Sequence, residues 1–162
     1  MEKYFGDDML KYGILPIQVS ITNGGHEGSM VFQPDGLNLA GPDNQHSTML
    51  SLDQVYDKTK KSQWRTAGWA VGFGILGLIP SVINVNNTNN KMRADYETKM
   101  LSGGNIAKGE VKEGVAFFSV PPDIKSLEGW QLAIMVKDFT DKTDVVIKYP
   151  LTGTVEPRVA KN

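Results

Sequence analysis

No cysteine occurs among the 162 residues, which removes disulfides, thiolate nucleophiles and thiolate metal sites together and leaves reducing and oxidising compartments both open. Histidine is nearly as scarce. His26 and His46 are the only two, each in a loop-like stretch with no second ligand at metal-binding spacing, so surface histidine is the expected role and no metal is assigned. Neither charge sign is in excess: seventeen basic and eighteen acidic residues leave a formal net charge of -1. Overall charge then creates no field that gathers phosphate backbones, and nucleic-acid binding is not expected. The first thirteen residues, MEKYFGDDMLKYG, lack a basic segment followed by an apolar one. Two readings fit: a cytoplasmic protein, or a chain that starts after a processed leader, in which case a bacterial lipoprotein's anchoring cysteine would have left with that leader.

Catalytic signatures are also missing. There is no Gly-x-Ser-x-Gly elbow and no serine in an activating setting. Gly72-Phe73-Gly74 with Gly77 has the glycine spacing of a nucleotide-binding loop. No strand precedes it and no acidic ribose partner follows, so close helix packing accounts for these glycines better. Asp7-Asp8 and the acidic residues from Asp138 to Asp144 fall where solvated turn charges are expected. The formal sequon Asn86-Asn87-Thr88 matters only in a glycosylating secretory pathway. The expectation is a non-enzyme without cofactor, although a pocket assembled from distant residues would leave no local signature.

What is present is a single domain's worth of chain, 40% hydrophobic and 22% charged, enough to bury one core. In ILPIQVSIT, Ile14 to Thr22, the residues Leu15, Ile17, Val19 and Ile21 alternate with polar or small ones, the period of a strand buried on one face. Pro16 cannot donate to a ladder and marks the strand's start or an edge. Asn23-Gly24-Gly25 ends it. A second strand is expected at about 29–33, the Pro34-Asp35-Gly36 turn next, and a short strand over Leu37 to Leu39. Ser51 and Gln54 form a capping-box pattern, after which Leu52, Val55 and Tyr56 share one helical face. Lys91 to Leu101 is helix-favouring, with Met92, Tyr96 and Met100 four apart, and Ser102-Gly103-Gly104-Asn105 stops it. Val111 to Val120 ends in an apolar run closed by Pro121-Pro122. Trp130, Leu132, Ile134 and Val136 then alternate, and the Asp138 to Lys142 turn leads to a hairpin partner carrying Val145, Ile147, Tyr149 and Leu151. The predicted fold is mainly β (α+β): a single β-sandwich over 1–162, with strands in about 12–40 and 109–153 and a helical insertion at about 51–102.

That insertion is the odd part. From Thr66 to Asn90 no residue is charged, and Thr66 to Val85 has about the length that crosses a hydrocarbon core, on the order of twenty residues. Lys58, Lys60, Lys61 and Arg65 precede it, Lys91 and Arg93 follow, and Trp64 and Trp69 could sit at an interface. Gly68 and Gly72, Ala70 and Gly74, and Gly77 and Ser81 are each four apart, the spacing that lets helix backbones approach closely. Pro80 divides the run, so a helical hairpin with arms Thr66 to Ile79 and Ser81 to Leu101 is the second form it can take, and a core helix the third. The residues expected to make self-association or membrane contact are Gly68, Trp69, Gly72, Phe73, Gly74, Leu76, Gly77 and Ile79.

The segments YGILPIQVSITNGG (12–25), EGVAFFSVPPDIKSLEGWQLAIMVKD (113–138) and GWAVGFGILGLIPSVIN between them resemble a group of uncharacterised bacterial cell-envelope lipoproteins. The resemblance implies an immunoglobulin-like β-sandwich with an inserted α-helical hairpin, at a periplasmic, outer-membrane lipid-anchored location. Two functions are carried forward. One is a non-enzymatic envelope scaffold or assembly protein whose insertion, residues 66–85, contacts a membrane, copies of itself in a homo-oligomer, or an envelope protein partner. The other is a soluble recognition module that binds a protein or peptide at an exposed sheet edge, with Pro16 as its marker.

Overall fold

The alternation from Leu15 to Ile21 becomes strand β1, Ile14–Thr22, in the computed structural model of the protein, which describes residues 9–24, 28–63, 85–139 and 142–154. A 3-10 turn, Met9–Tyr12, leads into it. Then follow β2 (Met30–Ala40), β3 (His46–Thr48), helices α1 (Leu52–Gln63) and α2 (Val85–Lys99), β4 (Gly104–Ile106), β5 (Val111–Ser119), β6 (Gln131–Asp138) and β7 (Asp144–Pro150). The fold is mainly β, and its strands form two antiparallel sheets. One sheet is β1 paired with β5, from Ile14 opposite Ser119 to Thr22 opposite Val111. The other runs β3-β2-β6-β7, with β4 added beside the first residues of β2.

Two apolar clusters fix these layers. Leu15 and Val19 of β1 and Ala116 and Phe118 of β5 pack against Phe32, Leu37 and Leu39 of β2 and Leu132, Ile134 and Val136 of β6. On the opposite face of the two-stranded sheet, Ile14, Val115 and Phe117 meet Met9, Val55 of α1, and Met92 and Tyr96 of α2. The Tyr96 ring lies edge-on to Phe117 with centroids 5.9 Å apart. Strand β5 is therefore covered on both sides, and its Val115-Ala116-Phe117-Phe118 run is continuous rather than alternating for that reason. Val115, Phe117 and Phe118 each contribute about 1.5–3 kcal/mol by leaving water.

Local chemistry sets the element ends. At the start of α1 the Ser51 amide donates to Gln54 Oε1 (2.8 Å) while the Gln54 amide donates to Ser51 Oγ (3.3 Å), the reciprocal arrangement its spacing predicts. Leu52 and Tyr56 pack beside Val55 as expected. An ion pair between Arg93 and Asp53 (2.8 Å) ties α2 to α1 at the surface. After α2 the chain crosses β5: the Leu101 amide donates to the Val115 carbonyl (3.0 Å), and Leu101 backbone passes over Gly114 so closely that a Cβ there would lie 2.5 Å from Leu101 Cα. Gly13 carbonyl accepts from the Val120 amide (3.0 Å), so alternate residues of β1 turn their amides toward β5 and position 16 faces away. Pro16 costs the ladder nothing there.

The structure differs from the sequence reading at three places. Pro34-Asp35-Gly36 is no hairpin turn; it lies within one long strand, where the register with β6 slips between Phe32 and Leu37. The extra residues form a bulge because Phe32 and Leu37 are both held in the core on either side of it. Strands β3 and β4 were not expected; each is three residues long, too short for periodicity to reveal. Asp138 is buried rather than solvated, and its amide closes the β6–β7 hairpin by donating to Thr143 carbonyl (2.9 Å).

Candidate functional site

The residues singled out for self-association or membrane contact, Gly68, Trp69, Gly72, Phe73, Gly74, Leu76, Gly77 and Ile79, lie outside the described residues, as does the first arm of the expected hairpin. No helix among the described residues is long and apolar enough to cross a membrane. Among the described residues no three histidine or carboxylate side chains gather as metal ligands. His46 stands exposed on β3, and Lys58 is turned to Ser119, whose Oγ accepts from its ammonium at 2.9 Å.

The described surface has one feature that its burial pattern makes unusual. Strand β7 reads DVVIKYP, and its β-branched and aromatic residues favour the extended backbone it adopts beside β6. Its alternation of Val145, Ile147 and Tyr149 is that of a half-buried strand, and these three lie opposite the buried Val136, Ile134 and Leu132. Yet all seven residues of β7 are exposed, Val145, Ile147 and Tyr149 by 38%, 41% and 49%. The reason is a mismatch of layers. The two-stranded sheet reaches β2 and β6, and no β7 side chain enters the cluster between the sheets.

The other face of the same strand is also apolar. Val146 lies opposite Met135, both exposed, with exposed Phe139 beyond the end of β6. A shallow depression of about 350 Å³ between Met135, Phe139, Val31 and Gly36 marks this face, with Lys137 and Asp144 on its rim.

Backbone geometry settles which groups β7 offers. Asp138 donates to Thr143 carbonyl, and Leu151 donates to Trp130 carbonyl at 2.8 Å. In an antiparallel ladder such pairs recur at every second residue, so residues 145, 147 and 149 bond toward β6. Asp144, Val146 and Lys148 accordingly turn their N–H and C=O groups outward, and among the described residues no strand takes them up. Pro150, the next outward position, has no N–H. The edge thus presents three residues' worth of unpaired donors and acceptors between apolar faces. Natural sheets usually blunt such an edge with several charges, a bulge or a covering segment. Here Lys148 is the single cation within the strand.

A second concavity, about 490 Å³, opens between the β2 bulge, the β3–α1 link and the end of α2, lined chiefly by Pro34, Met49, Leu50, Leu52, Met100 and Leu101. Ser51 and Gln54 on its wall are committed to capping α1. Asp35 and Glu97 also line it, but most of its wall is apolar, so it suits an apolar side chain.

The sequence signal for β7 as a strand was legible, but it pointed to a core face. Pro16, the residue that marked an edge, is buried on β1. The open apolar edge is at the other end of the chain, and its one direct sequence sign is an apolar triplet, Val145 to Ile147, held between Asp144 and Lys148.

No protein family matches the chain, and no curated protein does. Among solved structures the yjhA protein from Bacillus subtilis is similar over 84% of this chain and 74% of its own, at 15% identity and a TM-score of 0.42. So slight a likeness bears on neither architecture nor activity.

Proposed function

We propose that the chain is a non-enzymatic recognition and assembly module of a bacterial cell envelope, an immunoglobulin-like β-sandwich that docks an extended polypeptide strand along the outer edge of β7. One observation carries the reading: a strand patterned for burial, with outward backbone groups at Asp144, Val146 and Lys148 that no strand among the described residues takes up, is exposed on both faces. Strand addition supplies what that surface lacks. Main-chain hydrogen bonds would satisfy the outward groups, and alternate side chains of the incoming strand would extend the rows begun by Val145, Ile147 and Tyr149 on one face and Val146 on the other. The envelope setting rests on the sequence resemblance alone.

Val146→Pro tests this reading, because it removes an outward donor and leaves the bonds to β6 in place. A fluorescently labelled eight-residue peptide of alternating threonine and valine serves as probe. The expected result is saturable binding to the wild type, protection of the Asp144, Val146 and Lys148 amides from exchange, and at least about tenfold weaker binding to the variant. Absence of peptide binding, with those amides exchanging freely at every protein concentration, would overturn it.

A second reading keeps the insertion as the contact element, through a membrane or through other copies, and the uncharged run from Thr66 to Asn90 supports it. Gly72→Leu in the full chain would then abolish liposome binding or association by blocking close helix approach.

A further inference from the structure

Val146 sits at the centre of the outward-facing groups of β7, with Asp144 two residues before it and Lys148 two residues after. We infer that the strand docked there is β7 of a second copy, paired antiparallel about a two-fold axis at Val146, so that two copies share one continuous sheet. The inference rests on the strand-docking reading and names its occupant.

A two-fold pairing makes one surface complementary to itself, which few strand sequences satisfy. Centred on Val146, the register sets Val146 opposite Val146 of the second copy, Val145 opposite its Ile147, and Asp144 opposite its Lys148. The last pair occurs twice by symmetry. Opposite charges directly across a ladder are favourable and like charges unfavourable; a register moved by two residues in either direction loses both pairs.

The backbone agrees with the side chains. Asp144, Val146 and Lys148 are the residues whose N–H and C=O groups point outward. In this register each meets another outward-pointing residue, forming directly bonded pairs along the strand. Pro150 has no donor to contribute and would stand opposite Lys142, which has φ +56° in the turn before the strand, so the pairing closes at both ends where the regular strand does.

The apolar rows agree too. On one face Met135 and Val146 would continue into Val146 and Met135 of the second copy; on the other, Val145 and Ile147 would meet Ile147 and Val145. The flanking charges also discourage the edge from adding strands without regard to sequence. Neither Asp144 nor Lys148 enters an ion pair among the described residues, although Lys137 stands opposite Asp144 on β6. Asp144 would therefore lie between two lysines, one from each copy, and could face no carboxylate of its own kind.

Charge reversal followed by mixing tests the register in the 162-residue chain. Asp144→Lys places lysines opposite lysines at both pairs, and Lys148→Asp places carboxylates opposite carboxylates. Mixed together, the two variants again offer a lysine to every aspartate. Light scattering from about 10 µM to about 1 mM should find a wild-type dimer, since one strand pair falls at the low end of specific interfaces and favours micromolar association. Each single variant should dimerise roughly 10- to 100-fold more weakly, Lys148→Asp with an unchanged melting temperature in the dilute monomer because Ala133 stands opposite it on β6, and an equimolar mixture should recover the wild-type constant. A wild type that stays monomeric at about 1 mM, single variants that dimerise like the wild type, or a mixture that fails to recover would each overturn the inference. A monomeric wild type that still binds the threonine-valine peptide in a Val146→Pro-sensitive manner would overturn only the second copy as occupant; loss of peptide binding as well would remove the strand-docking reading with it.

Discussion

Replacing Gly114 by alanine adds one methyl group at the place where the chain leaving α2 crosses β5. An ideal Cβ on Gly114 would lie 2.5 Å from Leu101 Cα, 2.6 Å from its N and 3.0 Å from its Cβ. Two of those three neighbours are backbone, and the Leu101 amide is held by the Val115 carbonyl at 3.0 Å. A rotamer change cannot relieve the overlap. Leu101 and Met100 must move, and they belong to the two different clusters, Leu101 to the one between the sheets and Met100 to the one under the helices. Inserting a methyl into packed interior costs about 1–3 kcal/mol when side chains can adjust; with main chain in the way the upper figure, about 3 kcal/mol, is expected. For a domain of this size that corresponds to a fall in Tm of roughly 6–12 °C. Guanidinium unfolding followed by tryptophan fluorescence and far-ultraviolet circular dichroism should show the loss in both signals together. An unfolding free energy within about 0.5 kcal/mol of the wild type would mean that the crossing is not packed as described.

Two further stability predictions follow from side-chain hydrogen bonds. Ser51→Ala removes the oxygen that accepts from the Gln54 amide at the start of α1, and should cost about 1 kcal/mol in a denaturant titration. Asn23 is fully buried at the end of β1, where its side-chain amide donates to Gly28 carbonyl (2.9 Å) and Ile106 carbonyl (3.2 Å). Asn23→Ala should lose about 1–3 kcal/mol and speed hydrogen exchange at the β1–β4 end of the molecule before elsewhere; a loss below about 0.5 kcal/mol would show that these bonds are replaceable.

The sequence was most informative where one face of an element meets one partner. Ile17 to Ile21 on β1 and Leu132 to Val136 on β6 alternate because each stretch has a single buried side, and Leu52, Val55, Tyr56, Met92, Tyr96 and Met100 all reach the helix-side cluster that their spacing implies. It misled where the outcome depends on what lies across from a strand. The Pro34-Asp35-Gly36 segment has turn chemistry, but burial of Phe32 and Leu37 on both sides keeps the chain in the sheet and turns it into a bulge. The alternation on β7 is indistinguishable from that on β6; only the number of strands in the opposite sheet decides that one is covered and the other open. For the same reason Pro16 was a sound marker of a strand edge and a poor marker of an accessible one. Asp138 sits in a string of turn-like acids, and the closing of the hairpin brings it inside.

The pairing of β1 with β5 has a consequence for the order of events during synthesis. Residue 14 finds its partner at residue 119 and residue 22 at residue 111, so β1 leaves the ribosome well before the strand that completes it. At about 5–20 residues per second the interval is several seconds or more, long beside the microseconds in which helices form. During that time Leu15, Ile17, Val19 and Ile21 are an unpartnered strand, and completing it requires closing a loop that holds both helices. The nascent chain should therefore engage chaperones that bind short extended apolar segments, and should release them as β5 emerges.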